Sequence, residues 1–170
     1  MSKSKIIKDL ANDDVSVETA LNRLLVMASD IENDELVEWI NNELSGYSIG
    51  SKLPSYRNIE SLPIVYSGIN GSFKLTNQPL VLNGILSKDM CKKVTSHKIT
   101  QDVVTLARLS NEREAHIDMS FLQGVVYEKT GVSCTSIRLL LPSYIFLQVL
   151  STVKTKLLRI LIELENEYGN

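Results

Sequence analysis

The apolar residues of the first third of the chain recur with the period of an α-helix. Ile6, Ile7 and Leu10 give a first short apolar face. Ser16 then stands where its side chain accepts hydrogen bonds from the free amides of a helical first turn. The positions after it follow the i, i+4, i+7, i+8, i+11 pattern of one buried stripe: Val17, Leu21, Leu24, Leu25 and Ala28. Two successive helices are predicted.

A third helix is predicted between Asn33, as its N-terminal cap, and Gly46. Asp34 and Glu35 fall in its first turn, where acidic side chains oppose the positive end of the helix dipole. Gly46 stands where a left-handed residue ends a helix. The predicted buried face comprises Leu36, Trp39, Ile40 and Leu44.

Residues 51–86 differ from the first third in their pattern of proline, glycine and apolar residues, and this pattern predicts strands. The segments 62–69 and 72–75 flank Asn70-Gly71. Asn-Gly favours a hairpin because both central positions of such a turn need positive φ. The apolar run 80–86 predicts one further strand.

The third region predicts two helices. The first spans 102–109, with Thr100 as its cap, and the second spans 119–129 and ends at Gly131.

A strand over 132–141 and the longest helix, over 143–167, complete the prediction. Along that helix, apolar residues are spaced 4, 3, 4, 3, 4, as in a heptad seam: Phe146, Leu150, Val153, Leu157, Ile160 and Leu164. The seam either packs on the first three helices or meets a helix of another subunit. The predicted fold class is α+β, with N-terminal helices, a small mainly antiparallel sheet with a hairpin, and a long C-terminal helix.

Composition and charge limit the classes of function. The chain has 170 residues, of which 44% are hydrophobic, so one domain over 1–170 with a real core is expected. The formal net charge of −2 is too small for a global attraction to nucleic acid or membrane. Residues 1–50 hold ten acids against four bases, and residues 51–110 hold eight bases against three acids. The acidic part either faces the basic part, within one molecule or between two, or reflects helix N-termini that collect acids.

Cysteine usage and hydropathy indicate the cytoplasm. Cys91 and Cys134 are far apart and form no CxxC pair, so neither a disulfide framework nor a zinc site is predicted. The first residues carry charge where a signal peptide needs an apolar core. The most apolar stretch, 137–150, is interrupted by Pro142 and is too short to span a bilayer.

The residue patterns favour no catalytic chemistry. His97 and His116 have no metal ligands at the usual short spacings, and the pair His116 and Asp118 is one that strand alternation produces often. Neither a nucleophile elbow nor a phosphate-binding glycine loop is present. No enzyme activity, cofactor or metal is therefore predicted.

Nucleic-acid binding is the chemical alternative. Lys92, Lys93 and Lys98 lie in the basic middle of the chain, where the aromatic residues Tyr56, Tyr66 and Phe73 are interleaved. Lysines and aromatics on an exposed sheet are able to bind single strands.

Two stretches resemble a known family. The first stretch contains NDELVEWINNELSGY at residues 33–47 and LPSYR at residues 53–57, and the second stretch, residues 150–165, reads LSTVKTKLLRILIELE. Together they resemble the AbiTii domain of bacterial abortive-infection proteins, over nearly the whole chain. The resemblance implies phage defence and supplies no catalytic residue.

The first stretch allows two interpretations. In one, Trp39 and Tyr47 pin the helix to the hairpin, and Arg57 pairs with Glu38 or Glu43. In the other, a partner is recognised by Glu38, Trp39, Tyr56 and Arg57. The function predicted from the whole sequence is a defence module that acts by protein interaction or homo-oligomerisation, with Leu150 and Leu157 of the long helix as contact residues. The alternative is a single-stranded nucleic-acid binder that uses Lys92, Lys93 and Lys98.

Overall fold

The computed structural model describes residues 3–169 and has an α+β fold. The helices are α1 (Lys5–Ala11), α2 (Val17–Ala28), α3 (Asp34–Ser45), α4 (Lys88–Val94), α5 (Val103–Leu109), α6 (Gln123–Thr130) and α7 (Ser143–Tyr168). The strands are β1 (Asn58–Ile59), β2 (Ile64–Asn70), β3 (Phe73–Pro79), β4 (His97–Lys98), β5 (Ala115–Asp118) and β6 (Ser133–Leu141). The predicted fold class is confirmed, including the hairpin and the long C-terminal helix.

The chain divides into two compact units, and each is built from separate stretches of sequence. Unit 1 takes residues 3–57, 100–112 and 144–169 of the described chain, and is helical. Unit 2 takes residues 58–99 and 113–143, and contains all the strands of the described chain.

The helices of unit 1 begin where their caps lie. The Ser16 side chain accepts a hydrogen bond from the amide of Thr19 at 3.1 Å, and the Asn33 side chain accepts one from Leu36 at 3.1 Å. Both predicted caps are therefore confirmed. The predicted cap at Thr100 is wrong, since Asp102 accepts from the amide of Thr105 at 3.0 Å. Thr100 is too far from the first turn of α5 for this role, because a cap bonds to an amide two or three residues ahead.

The buried line of α7 differs from the predicted heptad seam. The buried residues are Ile145, Phe146, Val149, Val153, Leu157 and Leu161, which form mainly an i, i+4 row. Leu150, Ile160 and Leu164, three of the six seam positions, are only half-buried. Rows of i, i+4 side chains are the ridges used in the commonest helix packing of globular proteins. The seam of this helix therefore resembles a globular packing row more than a coiled coil.

Unit 2 contains a four-stranded antiparallel sheet in the order β3-β2-β6-β5, and the small pair β1-β4. The hairpin is confirmed, but its turn lies one residue later than predicted. Asn70 is the last residue of β2 and pairs with Phe73, so Gly71 and Ser72 form the turn. Gly71 has φ +60°, which suits the hairpin turn that requires glycine at its first central position.

The strand predicted over 80–86 is wrong. Gly84 has φ +87°, and the amides of Ile85 and Leu86 both bond to the carbonyl of Leu82, at 2.9 Å each. The chain therefore turns on itself here, although Leu80 and Leu82 are buried. The helix predicted over 119–129 begins as a 3-10 turn at Ser120–Leu122 and continues as α6 to Gly131, which has φ +74°.

Both strands that pair with β2, namely β3 and β6, contain a β-bulge. Between Tyr66 and Gly68, β3 contains one extra residue, and between Ser67 and Gly68, β6 contains another. A Cβ added to Gly68 would lie 2.5 Å from the carbonyl oxygen of Ser133. The close approach of the two backbones at this bulge therefore depends on glycine.

Within residues 3–169, no helix is long and apolar enough to cross a membrane.

Candidate functional site

Residues of the first family-like stretch meet around one buried ion pair in unit 1. Glu43 comes from the last turns of α3, and Arg57 ends the 3-10 turn Ser55–Arg57. Both side chains are fully buried, and Arg57 Nη2 donates to Glu43 Oε2. Arg57 Nε lies 3.3 Å from Glu43 Oε1, and Nη1 donates to the carbonyl oxygen of Gln101 at 2.7 Å. Removing two charges from water is tolerated here because each is paired and hydrogen-bonded.

Two tyrosines and a tryptophan extend this pair into a network. Tyr47 donates its hydroxyl to Glu43 Oε1 at 2.8 Å, and Tyr56 donates to the same oxygen. Trp39 Nε1 donates in turn to the Tyr56 hydroxyl at 2.9 Å. The Arg57 guanidinium lies over the ring of Tyr47, 4.7 Å from its centroid. We call these five residues the Glu43 cluster.

The environment keeps both tyrosines protonated. Burial, together with the negative charge of Glu43 beside it, raises the pKa of Tyr56 to about 12. Burial and the hydrogen bond to Glu43 raise the pKa of Tyr47 far above the usual range of a phenol. Because both hydroxyls keep their protons at neutral pH, each remains a hydrogen-bond donor to the carboxylate.

Gly46 lets the chain approach residues 100–101, which close the cluster. It has φ +88°, and a Cβ at this position would lie 3.0 Å from the carbonyl oxygen of Thr100. That same oxygen accepts a hydrogen bond from the amide of Tyr47 at 2.8 Å. The glycine therefore permits both the left-handed turn and the close contact that fixes Tyr47.

The predicted recognition residues of this stretch thus lie mainly in the interior. Arg57 is fully buried and Trp39 nearly so, Tyr56 is half-buried, and Glu38 is exposed. Arg57 pairs with Glu43, which was one of its two predicted partners. Lys156 of α7 covers Trp39, with its Nζ 4.5 Å from the ring centroid. In this conformation a partner reaches Glu38 but not the Glu43 carboxylate.

An open apolar cleft lies elsewhere in unit 1, between the start of α2, α5 and α7. We call it the α5–α7 cleft, and its volume is about 430 Å³. Val104 and Leu147 are 48% and 58% exposed, which is high for large apolar side chains. The apolar lining comprises Val17, Val103, Val104, Ala107, Leu147 and Leu150.

The rim of the cleft is charged. It carries Asp13, Glu18 and Lys154, and Lys154 Nζ lies 2.6 Å from Asp13 Oδ1. The Asp13 side chain is largely exposed and the Lys154 side chain largely covered, so the acids face the solvent at this rim. Of the two predicted contact residues on α7, Leu150 lines the cleft and Leu157 is fully buried.

Lys92, Lys93 and Lys98, predicted for nucleic-acid binding, are exposed in unit 2. Lys92 Nζ lies 3.4 Å from Glu60 Oε1. Of the interleaved aromatics, Tyr56 is a member of the Glu43 cluster, while Phe73 lies exposed on the hairpin.

The two units carry opposite charge. Unit 1 contains fifteen acidic and ten basic residues, a net charge of −5, and unit 2 contains five acidic and eight basic residues, a net charge of +3. The two values sum to the −2 of the whole chain. The acidic first third of the sequence therefore lies in unit 1, and most of the basic middle third lies in unit 2.

Sequence reasoning missed Val104 and Leu147 of the cleft. Val104 lies on the exposed side of a short helix, and Leu147 lies outside the heptad row of α7. A usable signal was present in α7, where apolar residues occur on more than one face of the helix.

The structure defines an α+β protein whose most distinctive polar residues build an internal ion-pair cluster, with an apolar cleft on the same unit. The family model described as AbiTii matches residues 4–170, and the chain belongs to this family. Membership implies a role in abortive infection, a bacterial defence against phage. No curated protein matches the chain. No solved structure matches it either.

Proposed function

We propose that the protein is an abortive-infection module that acts by contact with another protein chain rather than by catalysis. The observation that carries this proposal is the α5–α7 cleft, where Val104 and Leu147 are about half exposed beside Leu150. Full burial of one such side chain is worth about 1.5–3 kcal/mol relative to exposure. A partner that fills the cleft gains this energy.

The Glu43 cluster also supports the proposal, because its polar residues are used inside the protein. Its carboxylate accepts hydrogen bonds from Tyr47, Tyr56 and Arg57 and has no exposed surface. The polar residues of the family-like stretch are therefore engaged in holding unit 1 together. In this proposal they form a rigid support for the surface that the rest of unit 1 presents.

A plaque assay with cleft variants tests the proposal. Leu147→Glu places a charge in the cleft and is expected to abolish protection of bacteria that produce the protein. Ile49→Glu is the matched control, because Ile49 is a fully exposed apolar residue of unit 1 that does not line the cleft. This control is expected to protect like the wild type. Melting curves check that both variants are folded, and full protection by a folded Leu147→Glu protein would overturn the proposal.

A second candidate function is single-strand nucleic-acid binding by unit 2. Its net charge of +3 and the exposed Lys92, Lys93 and Lys98 favour this alternative. It predicts oligonucleotide binding that weakens steeply with salt and is lost when all three lysines become glutamine. The control is a triple glutamine variant of Lys3, Lys5 and Lys8. It removes the same number of positive charges, but from unit 1. Binding that is equally sensitive to both triple variants, or absent, would exclude this function.

A further inference from the structure

We propose that the α5–α7 cleft receives the tip of the β2–β3 hairpin of a second copy of this chain. This inference rests on the proposed function and names the partner. The tip is the turn Gly71-Ser72 with Ile69, Phe73 and Lys74 beside it.

The hairpin tip is unusually apolar for an exposed turn. Phe73 is 74% exposed and Ile69 is 51% exposed. In the register, Asn70 pairs with Phe73 and Ile69 pairs with Lys74, so Ile69 and Phe73 lie on opposite faces of the hairpin. A tip that is apolar on both faces suits a cleft with an apolar wall on each side. In the α5–α7 cleft these walls are Val104 of α5 and Leu147 of α7.

Charge complementarity favours the same contact. Lys74 is the one charged residue between positions 64 and 79 of the sequence, and it is exposed at the tip. At the cleft rim the exposed acids are Glu18 and Asp13, of which Asp13 is paired with Lys154, so these three residues leave the rim a net charge of −1. At larger scale, the +3 of unit 2 meets the −5 of unit 1. Such complementarity selects the partner and speeds its approach.

Another exposed aromatic pair of unit 2 fits the cleft less well. Phe121 and Tyr127 are also exposed, but Asp118, Glu128 and Lys129 lie close to them in the sequence and together carry a net charge of −1. A net negative charge brought to the acidic rim of the cleft would repel it. The hairpin tip has a cation in the corresponding place.

The contact joins two different surfaces, so each copy provides one tip and one cleft. Contacts of this heterologous kind continue head to tail, and they end only when a ring closes. We therefore expect assemblies that grow with protein concentration and shrink with salt, because surface charges are screened.

Light scattering after size exclusion, on purified full-length chain, tests the inference. The wild type is expected to form oligomers whose mass increases with concentration. Phe73→Glu and Leu147→Glu are each expected to reduce the mass to that of the monomer. Tyr127→Glu and Ile49→Glu are matched controls, exposed on unit 2 and unit 1, and are expected to assemble like the wild type. A wild type that is monomeric throughout, or a Phe73→Glu protein that still assembles, would overturn the inference.

Mixing the two variants gives a sharper result. Phe73→Glu keeps an intact cleft and Leu147→Glu keeps an intact tip, so the mixture contains one functional contact. It is expected to yield a dimer and nothing larger, although each variant alone is monomeric. If the mixture forms oligomers as large as those of the wild type, or does not associate at all, the head-to-tail contact is contradicted.

The plaque assay separates failure of this inference from failure of the proposed function. If Leu147→Glu abolishes protection and Phe73→Glu does not, the cleft binds a different chain and only the self-association is excluded. If both folded variants protect fully, the proposed function and the inference are both excluded. Loss of protection in both variants, together with loss of assembly, supports both.

Discussion

Glu43 lies without solvent contact inside unit 1, and the residues around it donate to its carboxylate. Glu43→Gln removes the negative charge and leaves the Arg57 guanidinium buried without its counterion. Breaking a buried pair in this way typically costs about 3–5 kcal/mol. We expect that loss in the free energy of unfolding, measured by urea denaturation. Glu38→Gln, on the exposed side of the same helix, is expected to change it by less than about 0.5 kcal/mol, and equal effects of the two variants would contradict the assignment.

Because of Tyr56, the stability of the folded chain is expected to fall as the pH becomes alkaline. Its pKa in the folded chain is about 12, above the value of about 10 for a free phenol. Between these values the unfolded chain loses a proton that the folded chain keeps. The stabilisation is therefore complete below about pH 10 and is lost as the pH rises toward about 12. Urea denaturation at stepped pH is expected to show a shallower alkaline decline for Tyr56→Phe than for the wild type, and an unchanged decline would contradict this origin.

The polar residues of the first family-like stretch show which side-chain contacts the sequence alone predicts. Arg57 was predicted to pair with Glu38 or Glu43, and the structure selects Glu43. The choice depends on residues 100–101, whose carbonyl oxygens hold Tyr47 and Arg57 in place. Residues 100–101 lie more than forty positions after Arg57 in the sequence, and sequence patterns do not show that such distant residues are in contact.

At the scale of elements, the close approach of β2 and β6 at the bulge in β6 depends on Gly68. Gly68→Ala would place a Cβ 2.5 Å from a backbone oxygen of β6, and backbone does not move aside cheaply. Overpacking of this kind costs about 1–3 kcal/mol. Gly124→Ala, in α6 with no heavy atom within 4 Å of the added Cβ, is expected to gain about 0.5–1 kcal/mol instead. Thermal melts of both variants check the opposite signs, and a neutral Gly68→Ala would show that the strands separate easily.

Periodicity predicted the elements better than their exact positions. The caps of α2 and α3 were correct because a cap is a local property of the chain. The stripes were correct in part, since the following predicted residues are only half-buried: Val17, Leu25, Leu36 and Leu44. The hairpin turn was displaced by one residue because its register is set jointly with β6, a strand from a distant part of the sequence. The packing row of α7 differed from the heptad because several apolar rows were available, and the neighbouring elements determine which one is buried.

At the scale of the molecule, unit 1 depends on its last segment. Leu157 of α7 is fully buried, so Leu157→Ala is expected to cost about 2–5 kcal/mol through the cavity it leaves. Because unit 1 is one compact body, hydrogen exchange is expected to accelerate in α2 and α3 as well, although they lie more than a hundred residues earlier. Leu147→Ala on the same helix is the control and should leave exchange unchanged. Acceleration confined to α7 would contradict a unit that folds as a whole.

The interleaving of the two units along the chain also sets an order in time. A chain leaves the ribosome from its N-terminus, at roughly 5–20 residues per second. Unit 2 has its last strand once Leu141 has emerged, whereas unit 1 still lacks α7 at that moment. The helices α1, α2 and α3 are therefore synthesised well before α7, the helix that completes unit 1. Of these two units, the basic one is therefore completed before the acidic one during synthesis.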